Sequence, residues 1–440
     1  MTMKIYRMFS SMMFLACILL GTSCSSDDQK PETPEQPSTE ETTPNDDTAP
    51  GDSMPEYHWQ EAKAIHLSET ETQVNQAMIG FAWRMYDIIQ NSQENPNTFF
   101  SPMSLQACFT NLLNGVTGDT RAECLRIMGL SPEAGIEKLN TYFSTMSKGI
   151  VEADNMTRFA TANALWYDEE LTLNTSFAQA TKEVFGTELF PVRFGLAETT
   201  EQINKWVAEH TYNRIQKMVE LTTPEDCMHL LNTVYFRSNW ATKFPTKLTA
   251  MRSFANATGQ SVEVPTMHGG YASTAYTENN QYQLAILPFN NRAFGMFFIL
   301  PAEGIAIKDL LHQFADEGPD MTSLGTVAML EVLLPKFKAE GKIELTDVLR
   351  DMGAELLFSE SSDFQLFERN NYALSAVTQK TYISIDEEGA EAAAATDMHI
   401  LTSSGEEFES RVLNLNRPFL YGIVETSTGM PLFMGCQAKF

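Results

Sequence analysis

Basic residues are scarce in this sequence: 30 Lys and Arg stand against 57 Asp and Glu, a formal net charge of -27 over 440 residues. Such a field repels phosphate backbones, anionic polysaccharides and anionic membrane surfaces, which argues against nucleic acid as a partner. Cysteines number only six; none falls in Cys-x-x-Cys and no Cys/His group has zinc spacing, so no metal centre is expected. The chain also lacks a Gly-x-Ser-x-Gly elbow, a His-Glu-x-x-His pair and a phosphate loop. Its seven histidines are scattered and read as structural. No enzymatic chemistry is announced, and no cofactor is expected. Nor does any apolar run reach the ~20 residues that cross a bilayer comfortably.

What is present at the N-terminus reads as an address. Lys4 and Arg7 precede an apolar run from Met8 to Leu20, and Gly21-Thr-Ser-Cys24 follows. A charged start, a short apolar middle and a small-residue exit make a secretory signal over 1–23. Small residues ending at a cysteine resemble a lipoprotein signal, in which Cys24 receives lipid and becomes the mature N-terminus. Gly21 departs from the usual apolar residue three before that cysteine; Leu20 is one further back. Residues 24–57 are rich in Pro, Thr, Glu, Asp and Ser. They cannot bury enough surface to offset their ordering entropy and read as a self-repelling, disordered spacer. The expectation is an extracytoplasmic cell-envelope lipoprotein, at the outer membrane or cell surface, tethered through Cys24.

From 58 to 440 no second linker and no repeat occurs, which favours one large domain although length alone suggests two or three. Val74, Ala77, Met78, Phe81, Ala82, Met85, Ile88 and Ile89 recur at helical spacing, and Asn95-Pro96-Asn97 closes that helix. A second helix is expected over Ile203–Val219. Strands are expected at Leu230–Phe236, Leu284–Phe289, Gly295–Leu300, Val327–Leu334, Tyr382–Ile385 and Phe419–Val424. Helices crowd the first half and strands the second, giving an α+β fold. Cys108, Cys124, Cys227 and Cys436 sit in apolar surroundings and read as buried free thiols; pairing of Cys108 with Cys124 stays open.

Several segments are similar, in order and spacing, to the serpin family. They are Asn97-Thr-Phe-Phe-Ser-Pro-Met-Ser-Leu105 with Asn114-Gly-Val-Thr-Gly-Asp-Thr-Arg121, and Asn163-Ala-Leu-Trp166 with Ile203-Asn-Lys-Trp-Val207 and Thr211. Then come Leu231-Asn-Thr-Val-Tyr-Phe236 with Trp240 and Phe244, Leu334-Pro-Lys-Phe337, Leu415-Asn-Arg-Pro-Phe-Leu420 and Pro431-Leu-Phe-Met-Gly435. Each alone is weak; together they span most of the chain. The resemblance implies a large central mixed β-sheet and an exposed reactive-centre loop at about 387–414. It implies a polar "shutter" beneath the sheet at Ser101, Ser104 and Asn232, with Gln379 where the family often has His, and a "breach" at Trp240.

The segment Glu387-Glu-Gly-Ala-Glu-Ala-Ala-Ala-Ala-Thr-Asp397 is helical on propensity alone, since alanine is the best helix former. Alternation says otherwise. Ala390, Ala392, Ala394, Thr396, Met398 and Ile400 form one charge-free face of a possible strand; Glu391, Ala393, Ala395, Asp397, His399 and Leu401 form the other. This resembles the serpin hinge: Glu387, Glu388, Gly389, Ala390, Glu391, Ala392, Ala393, Ala394, Ala395 and Thr396. Gly389 gives freedom at the bend. Ala390, usually Thr, is also small, whereas non-inhibitory relatives tend to carry charged or bulky hinge residues.

The resemblance therefore implies a monomeric suicide-substrate inhibitor that is not an enzyme; the alternative is a non-inhibitory binding protein. Counting forward from Gly389 puts the reactive bond at Ser403-Ser404. Counting back from Pro418 puts it after Glu407, and the forward count is preferred because insertion length is set from that side. Ile400-Leu401-Thr402-Ser403 holds no Lys or Arg, which points to elastase- or subtilisin-like proteases. Leu401 would also suit papain-like enzymes cutting after Thr402.

Overall fold

In the computed structural model of the chain, residues 59–92, 94–359, 363–368, 378–390 and 410–440 are described. The leader, Cys24, the spacer and residues 391–409 lie outside them. The described residues fall in one compact unit, Thr48–Phe440. Its helices are α1 Glu69–Ser92, α2 Pro102–Leu113, α3 Gly118–Ile127, α4 Ile136–Ala153, α5 Thr175–Phe185, α6 Ala197–His210, α7 Ile307–Phe314 and α8 Leu345–Asp351. Its strands are β1 Thr98–Phe100, β2 Arg158–Asp168, β3 Glu188–Val192, β4 Met228–Asn239, β5 Ala250–Ala255, β6 Ser261–Glu278, β7 Tyr282–Pro288 and β8 Phe294–Pro301, then β9 Thr326–Pro335, β10 Phe337–Glu344, β11 Thr378–Ile385, β12 Gly389–Ala390, β13 Ser410–Asn414, β14 Phe419–Glu425 and β15 Pro431–Gln437. No described helix is long and apolar enough to cross a membrane.

The expected first helix forms, with a start that spacing alone did not mark. Ser68 N and Oγ both donate to Glu71 Oε2, at 2.8 and 2.6 Å, while Glu71 N donates back to Ser68 Oγ at 3.3 Å. This reciprocal cap satisfies backbone donors that a helix end leaves bare. The second expected helix stops nine residues early, at His210. Tyr212 and Asn213 adopt φ of 50° and 62°, where the helix cannot continue. Ile215 and Met218 nevertheless pack with Trp206 and Val207 in one cluster, so the apolar spacing is used by a loop instead.

All six expected strands occur, within two sheets. The smaller has the order β10-β11-β12-β4-β2-β3 and is mixed, because β2 and β3 run parallel while the other pairs are antiparallel. Alternation divides its faces. Along β4, Met228, Val234 and Phe236 join the main core, whereas Leu231 faces α6 with Trp166 and Trp206. α2 approaches the core side, starting at Ser101. The larger sheet stacks β1-β15-β14-β8-β7-β6-β9-β13 with β5 beside β6. Cys108, Cys124, Cys227 and Cys436 are free thiols, so Cys108 and Cys124 do not pair. Burial pushes the Cys108 and Cys124 thiols up to about 12.

Candidate functional site

The site lies where β11 gives way to β12. Ile385 pairs with Ala390 across a tight turn, and β12 pairs on its other side with β4, Gly389 opposite Asn239 and Ala390 opposite Ser238. Asp386 N donates to Gly389 O at 3.1 Å, and Asp386 Oδ1 accepts from Glu388 N at 2.8 Å. Among the described residues, the hydrogen-bonded order of the sheet places this two-residue strand between β11 and β4. Gly389 is required by proximity: a Cβ there would lie 2.1 Å from Ser238 O and 2.7 Å from Asn239 Cα. Ala390 is wholly buried in the main core.

That burial corrects the expected extent of the loop. Glu387, Gly389 and Ala390 are buried rather than exposed, because two neighbouring strands take up this backbone. At the far end, Ser410–Asn414 is not loop either; it pairs in parallel with Met329–Leu333 of β9. Hinge residues Glu391 to Thr396 and the bond candidates Leu401, Thr402, Ser403, Ser404 and Glu407 lie outside the described residues.

Trp240 locks the turn from the β4 side. Its N donates to Glu388 O and its Nε1 to Asp386 O, both at 2.9 Å, while its ring stacks on Phe289 at 4.7 Å. Phe244 N donates to Glu387 O at 3.0 Å. The Glu387 carboxylate accepts from Lys336 Nζ at 2.6 Å and from Thr249 Oγ1 at 2.7 Å. Burial pushes this carboxyl up, but the Lys336 and Thr249 hydrogen bonds outweigh it and hold the group below the usual range. Burial pushes its neighbour Asp386 the other way, upward. Lys243 pairs with Glu388. Sequence reasoning assigned no role to Lys336, Thr249 or Lys243. Lys336 stands inside Leu334-Pro-Lys-Phe337, the one signal that could have found it.

The four expected shutter residues divide into two groups. Gln379 Oε1 accepts from Ser101 N at 2.8 Å and Gln379 Nε2 donates to Ser101 O at 3.0 Å. Ser101 Oγ donates to Leu432 O at 2.7 Å and accepts from Ser104 N at 3.4 Å. Asn232 does not join them. Its Nδ2 donates to Asn163 Oδ1 at 2.7 Å, Asn163 being its partner on β2. Asn232 Oδ1 and Ser104 Oγ are buried without hydrogen-bond partners. The reason is geometric: Gln379 sits on β11 and Asn232 on β4, two strands not paired to each other. Among the described residues, no group of His, Cys, Asp or Glu is arranged to hold a metal ion.

Comparison with known proteins fits this architecture. Residues 76–439 match the family described as Serpin (serine protease inhibitor). An uncharacterised serpin-like protein of Thermococcus kodakarensis is 30% identical over 368 residues, covering 83% of this chain and 85% of that protein. Alpha-1-antiproteinase S of Cavia porcellus is 28% identical, covering 82% and 89%. Among solved structures, the thermophilic serpin tengpin in its native state superposes with a TM-score of 0.76 at 24% identity, over 87% of this chain and 98% of that one. Human thyroxine-binding globulin complexed with thyroxine has the same fold, TM-score 0.73 at 23% identity over 84% and 99%.

Proposed function

The chain belongs to the serpin family, and from that premise we propose that it is a single-use protease inhibitor. Protease inhibition is what the family generally carries. The observation that supports it most here is Ala390, seated between β11 and β4 as the start of a strand.

A protease binds the loop beyond Ala390 as substrate, and its nucleophile forms an acyl bond to the residue before the cut while the new amino terminus departs. Cleavage frees the hinge, which continues the strand that Gly389 and Ala390 begin and carries the bound protease along. A strand of about 10–14 residues gains on the order of 10–14 kcal/mol at ~1 kcal/mol net per hydrogen bond. That is comparable with the ~5–15 kcal/mol that keeps a protease domain folded. Insertion can therefore distort the protease before water completes deacylation. The small, charge-free residues of one hinge face support this reading, because each must enter a packed interior.

The absence of Lys and Arg from Ile400-Leu401-Thr402-Ser403 supports an elastase- or subtilisin-like target, with papain-like enzymes as the second class. The leader pattern supports lipid attachment at Cys24 and an extracytoplasmic place at the cell envelope. Incubation with such proteases tests the function: the expected product is an SDS-resistant one-to-one complex. Cleaved chain with full protease activity across a broad panel would instead support a non-inhibitory, binding role.

A further inference from the structure

Away from the hinge, α6 and the edge of the smaller sheet enclose a groove. In the order β10-β11-β12-β4-β2-β3, β3 stands at the end, with β2 and β4 between it and β12. Parallel pairing sets Phe190 of β3 beside Trp166 of β2, and their rings stack at 4.3 Å and 18°. α6 lies over this face, where its buried Ile203, Trp206 and Val207 cluster with Trp166 and Val192. Gln202, Lys205, Trp206 and Glu209 recur at i, i+3, i+4 and i+7, so they share one side of the helix. Between that side and Trp166, Phe190 and Val192 is a cavity of about 320 Å³, at the small end of the range for sites that hold small molecules.

The polar groups around this cavity are unevenly matched. Trp206 Nε1 donates to Glu188 Oε1 at 2.9 Å. Lys205 and Glu209 are exposed and face each other at 3.8 Å, so the rim carries no net charge. Trp166 differs. It is only 3% exposed, and its Nε1 is buried with no hydrogen-bond partner among the described residues. A buried indole N–H usually finds an acceptor, and one left without bears the full cost of its desolvation. The neighbouring walls, Phe190, Val192 and the Trp206 ring, have no side-chain acceptor to offer.

We propose that this groove binds a neutral, flat molecule of one or two rings bearing a carbonyl or ether oxygen, which accepts a hydrogen bond from Trp166 Nε1. The flat ring follows from the aromatic walls, and the oxygen from the one idle donor. Neutrality follows from the offset rim charges and the apolar interior, where an unpaired charge is expensive to bury. Because Trp166 Nε1 is shielded from water, binding entails a small shift of the α6 side chains that lets the oxygen reach it. The site is independent of the inhibitory reading, since β3 is two strands removed from the strand that the hinge begins.

The test uses coumarin, a two-ring molecule with a carbonyl oxygen, and naphthalene, which has the same outline without the oxygen. Indole N–H signals of the full chain, labelled with ¹⁵N at tryptophan, are followed by NMR; the signal that vanishes in Trp166→Phe is that of Trp166. Coumarin should move this signal downfield and saturate, and naphthalene should not. By calorimetry, Trp166→Phe should weaken coumarin about tenfold. Gln202→Trp, at an exposed position on the groove's mouth, should abolish binding without changing the thermal midpoint. A Trp166 signal unmoved by coumarin up to its solubility limit, or a shift that persists unchanged in Gln202→Trp, overturns the site. Equal affinity for coumarin in the wild type and Trp166→Phe overturns the role of the indole N–H.

Discussion

Lys336 Nζ lies 2.6 Å from Glu387 Oε2, tying the single residue between β9 and β10 to the turn that leads into β12. Because Glu387 titrates below the usual carboxylate range, the stability of this pair is present above the unfolded Glu value near ~4.3. It is lost as pH falls through the lower folded value. Glu387→Gln should therefore destabilise the fold at pH 7 by about 1–2 kcal/mol, given that Lys336 is partly exposed, and lower the thermal midpoint accordingly. The deficit should close as pH falls through the lowered Glu387 value. Asp386, pushed upward by burial and further by the Glu387 charge, runs the other way, and it loses that second influence in the variant. A deficit independent of pH would show that charge pairing is not what Glu387 provides.

Ala392→Arg should convert the inhibitor into a substrate. Ala390 is unsuitable for this experiment, because it is already buried in the uncleaved chain and an arginine there would disturb the intact fold. Position 392 is the next on the same face. Burying an unpaired guanidinium there costs several kcal/mol, so insertion slows and deacylation wins. The number of inhibitor molecules cleaved per protease inactivated should rise several-fold, with the intact midpoint unchanged. Unaltered stoichiometry would contradict the insertion mechanism.

Cleavage should fall between Leu401 and Ser404. Counted antiparallel from Ala390 opposite Ser238, residue 400 would fall opposite Met228, the first residue of β4, so a bond at Ser403-Ser404 leaves a short tether. N-terminal sequencing of the released fragment should read from Thr402, Ser403 or Ser404. A fragment beginning at Phe408 would favour the count back from Pro418 and a longer loop.

Cys24→Ala should release the chain from membranes into the soluble fraction, and the mature mass should fall by that of the lipid. Unchanged detergent partitioning would remove Cys24 as the anchor.

Much of this was legible in the sequence, for identifiable reasons. Strands such as β8 and β14 carry continuous apolar runs, and α1 carries a long 3.6-residue period; neither pattern depends on distant contacts. Loops do, and that is where reading failed. Ile203–Val219 keeps an apolar spacing in which only the first part is helix, because backbone angles at Tyr212 and Asn213 are not written in hydrophobicity. The burial of Ala390 is not legible in the segment itself, since on one side it is flanked by Ser238 of β4, remote in sequence. The polar residues read as one unit divide in space, Gln379 bonding Ser101 and Asn232 bonding Asn163 on the neighbouring strand, because strand pairing is not written in the residues themselves. Lys336, Thr249 and Lys243 were missed because a charged or hydroxyl residue on a strand end looks like any solvated one until its partner is known.

The account stands or falls on whether residues 391–400 become a strand of the sheet once the loop is cut. Backbone hydrogen exchange, followed by mass spectrometry in the intact and the cleaved chain, measures this directly. The account predicts that these amides exchange within seconds before cleavage and become as protected as those of β4 afterwards. Exchange in the cleaved chain as fast as in a free peptide would contradict it.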